Sequence, residues 1–227
     1  MGKRAENLNG VGNDIRLIIP SSDVTVDGDL VLADPSGAGR TITGPLTGGG
    51  AVTLLDDVEF LGAVDGTLGF FGAGTATFTG GISPGNSPGT TTVESDAVLG
   101  AANTLTIEVE SVTGPTGPAV ADELLVGGSL AIDGTLDVAI ADVDVLDLYD
   151  TFRIVDAEGG LTGTFAALNG VLLDPIDGLQ AAAAITHTAD GVDLTTANAR
   201  HANPDGPATT SAPATPAGTL NLPDPTR

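Results

Sequence analysis

Glu123-Leu124-Leu125-Val126-Gly127-Gly128-Ser129-Leu130-Ala131-Ile132-Asp133-Gly134-Thr135-Leu136-Asp137-Val138-Ala139-Ile140 is the stretch that decides the fold. It holds three apolar runs, Glu123–Val126, Ser129–Ile132 and Thr135–Ile140, parted by Gly-Gly and Asp-Gly. Runs this short, rich in Leu, Ile and Val and ended by turn residues, read as strands. Asp-Gly also suits a two-residue hairpin, so antiparallel pairing is one way to join them. Two features favour a coil of parallel strands. The runs follow one another without the long amphipathic helices that a βαβ crossover requires. The apolar residues are mostly small aliphatics with Gly at the corners, which suits ladders of like side chains stacked on the next turn, about 4.8 Å away, better than a sandwich centred on a buried Trp.

The same texture extends outward over most of the chain. Ile15–Ile19, Asp23–Val26, Leu30–Ala33, Thr41–Thr43, Ala51–Leu55, Val58–Leu61, Thr67–Phe71 and Thr75–Thr79 precede the deciding stretch, with Thr90–Glu94 and Thr104–Glu110; Phe152–Val155 follows it. Turns are expected at Asp27-Gly28, Asp65-Gly66, Gly80-Gly81 and Gly159-Gly160. Intervals between comparable glycines are irregular, so no strict repeat is legible. The expected fold is therefore an all-β parallel β-helix, with a β-sandwich as the alternative. Near the end, the apolar run Leu179–His187, the turn Asp190-Gly191 and a strand Val192–Thr195 read as an antiparallel hairpin that closes the last turn, whose edge needs covering. The division expected is an N-terminal segment 1–14, a β-helix domain 15–197, and a Pro/Ala/Thr-rich flexible tail 198–227.

Composition removes several functions. Seven basic against 30 acidic residues, a net charge of −23, leaves no basic stripe for phosphates, so nucleic acid is excluded as a partner. The absence of Cys removes disulfides, thiolate metal sites and cysteine nucleophiles, and His187 and His201 have no second ligand at a recognisable spacing. No cofactor is expected. Calcium is the one ion the acidic pattern admits, through Asp142, Asp144, Asp147 and Asp150, although the specific calcium-loop patterns are missing. No stretch reaches the ~20 apolar residues of a membrane-spanning helix, and the N-terminus lacks the apolar core of a leader.

The segment Pro84-Gly85-Asn86-Ser87-Pro88-Gly89 matches the Gly-x-Ser-x-Gly elbow of hydrolases. Pro88 has no N–H to donate to an oxyanion, and β-branched Thr90–Val93 follows where the elbow opens a helix. The expectation is a structural corner, in which the prolines fix φ and the glycines take conformations other residues avoid. Asp56-Asp57, or the aspartates of 142–150, offer acid pairs for glycoside hydrolysis, but close pairs arise by chance among 30 acids. Aromatic platforms for sugar are limited to Tyr149 and six Phe, several on core-facing positions, and the only lysine is Lys3. The chain is therefore not expected to be an enzyme. Thr41-Ile42-Thr43, Thr75-Ala76-Thr77 and Thr90-Thr91-Thr92 resemble in miniature the threonine arrays of ice-binding solenoids; outward β-formers are the simpler account.

Taken in order, Gly81–Thr90, Thr104–Val109, Ala121–Gly128, Leu130–Val138 and Phe152–Val155 resemble the C-terminal part of autotransporter passenger domains and the related autotransporter-associated β-strand repeats. Upstream, Ile42–Leu54, with Gly48-Gly49-Gly50 before a strand, is similar to the repeat unit of those proteins. The resemblance implies a right-handed parallel β-helix at the bacterial cell surface, serving as stalk, adhesin or structural layer. The functional expectation is an extracellular structural or adhesive module that assembles end to end into a fibre or layer, its partners being itself, other surface proteins or glycans. A glycan-binding surface module is the alternative, with a polysaccharide-active enzyme ranked below both.

Overall fold

The computed structural model describes residues 23–34, 39–85, 88–111, 119–140, 151–170, 172–173 and 179–201. Ile15–Ile19 and the aspartates of 142–150 lie outside them, as do Tyr149, Asn86, Ser87 and the tail beyond His201.

The described residues form a parallel β-helix whose rungs each carry three short strands. The first rung is β1 (Val24–Val26), β2 (Asp29–Leu32) and β3 (Arg40–Ile42). The second is β4 (Leu46–Gly48), β5 (Ala51–Leu54) and β6 (Val58–Phe60), and the third β7 (Val64–Asp65), β8 (Gly69–Gly72) and β9 (Ala76–Phe78). The fourth holds β10 (Gly81–Ser83), β11 (Thr90–Val93) and β12 (Ala97–Leu99). In the fifth, β13 (Thr104–Ser111) is followed by β14 (Ala119–Ala121), which turns back antiparallel on it, and then by β15 (Glu123–Val126) and β16 (Leu130–Ile132). β17 (Thr135–Ile140), β18 (Thr151–Ala157) and β19 (Leu161–Gly163) make the sixth, and β20 (Ala167–Asn169) stacks on β17.

Successive rungs build three sheets: A from β1, β4, β7, β10, β13, β17 and β20; B from β2, β5, β8, β11, β15 and β18; and C from β3, β6, β9, β12, β16 and β19. Sheet B continues through an antiparallel closure formed by β21 (Leu172–Leu173), β22 (Leu179–His187) and β23 (Gly191–His201), with β23 laid on β18. The closing hairpin expected from the sequence is present, and β23 runs on to His201 rather than ending at Thr195.

A period does exist in the middle of the coil. Leu46 pairs with Val64 and Val64 with Ile82, while Val58 pairs with Ala76, steps of 18 residues. Later steps lengthen: Leu124 pairs with Val155, 31 residues on, and Thr90 with Glu123, 33 residues on. The extra residues lie in the connections from sheet A to sheet B, which hides the period from sequence inspection.

Alternation points one side chain of each pair inward. Leu46, Val64, Ile82, Leu105 and Leu136 line sheet A, all 1% exposed or less. The interior is not purely aliphatic: Phe60 and Phe78 stack with ring centroids 5.3 Å apart, and Phe70 meets them edge-on at 5.4 and 5.5 Å. Not every threonine faces outward either. Thr91 is fully buried, and its Oγ1 donates to the Gly66 carbonyl at 2.8 Å. The outward row of sheet C reads Thr41, Glu59, Thr77, Val98, so no flat threonine array forms.

Glycine is required where rungs approach most closely. Gly66 has φ +127°, and a Cβ there would sit 2.0 Å from the Gly48 carbonyl oxygen, whereas a Cβ at Gly28 would meet nothing within 4 Å. Gly66→Ala is therefore expected to cost about 2 kcal/mol through combined strain and collision. Gly28→Ala should be neutral or slightly stabilising, because it only narrows the unfolded ensemble. Urea unfolding of the two variants checks this contrast; equal effects would refute it.

Candidate functional site at the corner between sheets A and B

Connections from sheet A to sheet B are short in the second and third rungs, where residues 49–50 and 66–68 suffice. In the fourth rung the connection is 84–89, in the fifth it spans 112–122 including β14, and in the sixth it is 141–150. Three successive connections between the same two sheets are thus longer than their counterparts in the second and third rungs. In stacked architectures such insertions collect on one side, often the side that binds.

Within the first enlargement, Pro84, Gly85 and Gly89 are buried and Pro88 is half-buried. Neither Gly85 nor Gly89 has a φ in the left-handed range; what each supplies is room. A Cβ at Gly89 would lie 1.9 Å from the Gly85 carbonyl oxygen, and one at Gly85 would lie 2.6 Å from Asp65 Oδ1. The chain after this corner is strand β11, not the helix that a nucleophile elbow opens. Asn86 and Ser87 themselves are outside the described residues.

What fastens this corner is Asp122, a residue that sequence reasoning did not single out. It is fully buried. Its Oδ1 accepts the Gly89 N–H at 2.7 Å and its Oδ2 the Glu108 N–H at 2.9 Å, while its own N–H donates to the Glu108 carbonyl at 2.8 Å. One carboxylate thus ties the corner of the fourth rung to β13 of the fifth. Burial pushes its carboxyl above the usual range; the two N–H donors oppose that rise, and nearby Glu108 and Glu110 add to it.

Asp122 belongs to a wider pattern. Asp56 Oδ2 accepts the Asp34 N–H at 2.7 Å, whereas its neighbour Asp57 accepts the Thr75 N–H at 2.8 Å through Oδ1, so the pair reaches one rung in each direction. Asp96 Oδ1 accepts both the N–H and the hydroxyl of Ser129, at 2.7 and 2.9 Å, and these two bonds hold its carboxyl below the usual range. Acids that read as chance pairs in the sequence serve as clamps between rungs. No group of three or more His, Cys, Asp or Glu that could hold a metal ion occurs among the described residues. The four aspartates that suggested calcium are outside them.

A second polar cluster secures the closing hairpin. Arg153 on β18 reaches Asp190 at 2.8 Å, and Asp156 and Asp193 at 3.2 Å each. It also donates to Thr188 Oγ1 at 3.1 Å. Its hydrogen bond to Asp190 heads the causes that raise the guanidinium pKa, and the same bond holds the Asp190 carboxyl below its usual range. Beside this cluster, His187 packs against Phe165 with ring centroids 5.9 Å apart, and its Nε2 is buried without a hydrogen-bond partner. Burial lowers the imidazole pKa below 6.5. A lowered histidine contributes stability above the unfolded-state pKa and loses it as pH falls through the folded value. His187→Phe is therefore expected to abolish the part of the stability loss between pH 7 and pH 5 that comes from protonating this imidazole in the unfolded chain. Thermal melts across that range check it; an unchanged pH slope would refute it.

No described helix is long and apolar enough to cross a membrane. Compared with known proteins, the chain matches no family model and no curated protein.

Proposed function

We propose that this chain is an extracellular structural or adhesive module: a stiff rod of stacked rungs displayed at the bacterial cell surface, like the autotransporter-type proteins its motifs resemble. The observation that carries the reading is the continuity of the stack. Interior side chains from Leu32 to Leu194 fill one uninterrupted core, and acidic side chains bind rung to rung. Such an architecture stabilises length, and its longer connections all join sheet A to sheet B. A surface charge of −23 keeps a molecule rich in strand edges hydrated and apart from its neighbours.

The experiment is surface labelling of intact source cells with an antibody raised against the chain, alongside limited proteolysis of the purified protein. The expected result is labelling without permeabilisation and a protease-resistant core; labelling only after permeabilisation would overturn the reading. A glycan-binding role is the second reading, favoured by Phe71, an outward aromatic that lies along β8 with its ring over Gly69. Binding to a glycan array that is lost in Phe71→Ala would support it.

A further inference from the structure

We propose that Asn169-Gly170, at the end of the last strand of sheet A, is a site of spontaneous deamidation, where the chain turns its own asparagine into isoaspartate and aspartate and sets new charge beside Asp137. The site belongs to the coil itself and holds for either surface role. Leu-Asn-Gly-Val occurs twice in the chain, at 8–11 and 168–171, and only the second Asn-Gly pair lies within the described residues.

The fold leaves both reacting groups accessible. Asn169 and Gly170 are exposed, as are Ala167 and Leu168 before them, and among the described residues sheet A ends at this strand. The register fixes where the Gly170 N–H points. Gly66 stands two residues after Val64 as Gly170 stands two after Leu168, and Val64 and Leu168 hold the same place in the ladder of sheet A. Both glycines have positive φ, +127° and +97°. The Gly66 N–H points onward and donates to the Ser83 carbonyl of the next rung at 3.1 Å. The Gly170 N–H is aimed the same way, and among the described residues no further rung of sheet A receives it. Ring closure requires rotation about the Cα–C bond of Asn169, the last residue of a three-residue strand paired with β17, where fraying costs least. Gly170 is itself imposed by the fold, since a Cβ there would sit 2.0 Å from the Val138 carbonyl oxygen. Asn103 is the contrast: it is 1% exposed, gives its side-chain N–H to the Gly80 carbonyl and precedes β-branched Thr104.

The reaction balances with water alone. The Gly170 nitrogen loses its proton and bonds to Asn169 Cγ, the Cγ–Nδ2 bond breaks, and Nδ2 leaves as ammonia with that proton. Water then opens the cyclic imide, its hydroxyl going to one carbonyl carbon and its hydrogen to the nitrogen. Opening at Cγ gives aspartate; opening at the main-chain carbon gives isoaspartate. Asp137 on β17 is the in-register neighbour of Asn169. Adjacent strands lie about 4.8 Å apart, so the new carboxylate faces that of Asp137, and like charges on neighbouring strands destabilise the pair. Isoaspartate also adds a backbone atom that β17 does not match. Both products loosen the last turn of sheet A.

The test is ageing of the full chain at mildly alkaline pH, folded and in urea, followed by peptide mapping in a mass spectrometer with isoaspartate detection. In the folded protein Asn169 is expected to convert at least about tenfold faster than Asn103, a barrier difference of roughly 1.4 kcal/mol, with isoaspartate the larger product. Exchange of the amide protons shared by β17 and β20 should then quicken. Asn169→Asp, which supplies the charge alone, should quicken it less, and Asn169→Gln, whose longer side chain closes the ring poorly, should hold it at the unaged rate. Conversion of Asn169 in urea but not in the folded chain would overturn the site, as would equal rates at Asn103 and Asn169. Conversion with unchanged exchange would overturn its effect on the last turn. Each of these results leaves the rod and its surface location untouched.

Discussion

Replacing Phe78 by alanine is expected to remove about 3–5 kcal/mol of folding stability, a large part of what a domain of this kind possesses. Phe78 on β9 is fully buried, stacks on Phe60 of the preceding rung at an interplanar angle of 16°, and meets Phe70 at 83°. Both of these neighbours are held by strands whose backbones are paired on both sides, so the space left by the ring cannot collapse. The cost is then the lost transfer energy of the ring plus the unfilled cavity. Phe71→Ala is the control. It removes an equally large ring one residue from Phe70, but from the outward face, and should cost about 1 kcal/mol or less. Urea unfolding of the two variants separates them; similar midpoints would mean that the aromatic stack does not organise the core.

Asp122→Ala comes next in expected size, at about 2–4 kcal/mol. The loss does not come from charge, since burial itself disfavours the carboxylate there. It comes from the Gly89 and Glu108 N–H groups, each losing the Asp122 oxygen it donates to, Gly89 at a buried site. Asp122→Asn should fall between wild type and alanine: one amide oxygen can accept one of the two N–H groups, and the NH₂ then faces the other donor. The local signature is faster exchange of the Gly89 and Glu108 amide protons in both variants. Unchanged exchange at Gly89 would show that the corner does not depend on this carboxylate. The sign with pH is also fixed. A carboxyl raised by folding contributes most stability at low pH and loses it as pH rises from the unfolded to the folded value, opposite to Asp190, whose lowered carboxyl contributes above the unfolded value and loses its effect as acid is added.

Legibility in the sequence followed strand length. Glu123–Val126 and Thr135–Ile140 can be read with their observed bounds, because four to six alternating residues carry a period of two. Leu46–Gly48, Val64–Asp65 and Gly81–Ser83 cannot: two or three residues containing Gly, Asp or Ser look like turns by local propensity. They are strands because the rungs on either side offer backbone partners in register, a stabilisation that exists only once the coil has formed. The candidate site divides in the same way. Pro84, Gly85, Pro88 and Gly89 announce a corner, whereas Asp122 is more than thirty residues away and looks like any other acid among thirty.

By itself, the amino-acid sequence pointed to a coil of short strands closed by an antiparallel hairpin, and the described residues form both. Those properties depend on composition and on neighbours within a few residues. Tertiary structure alone decided the 18-residue rung, the aromatic stack inside it and the aspartates that clamp rung to rung. Most of these contacts join residues 18 to 33 positions apart, set by which backbone lies about 4.8 Å above which. Variable connections shift that spacing without leaving a local trace in the sequence.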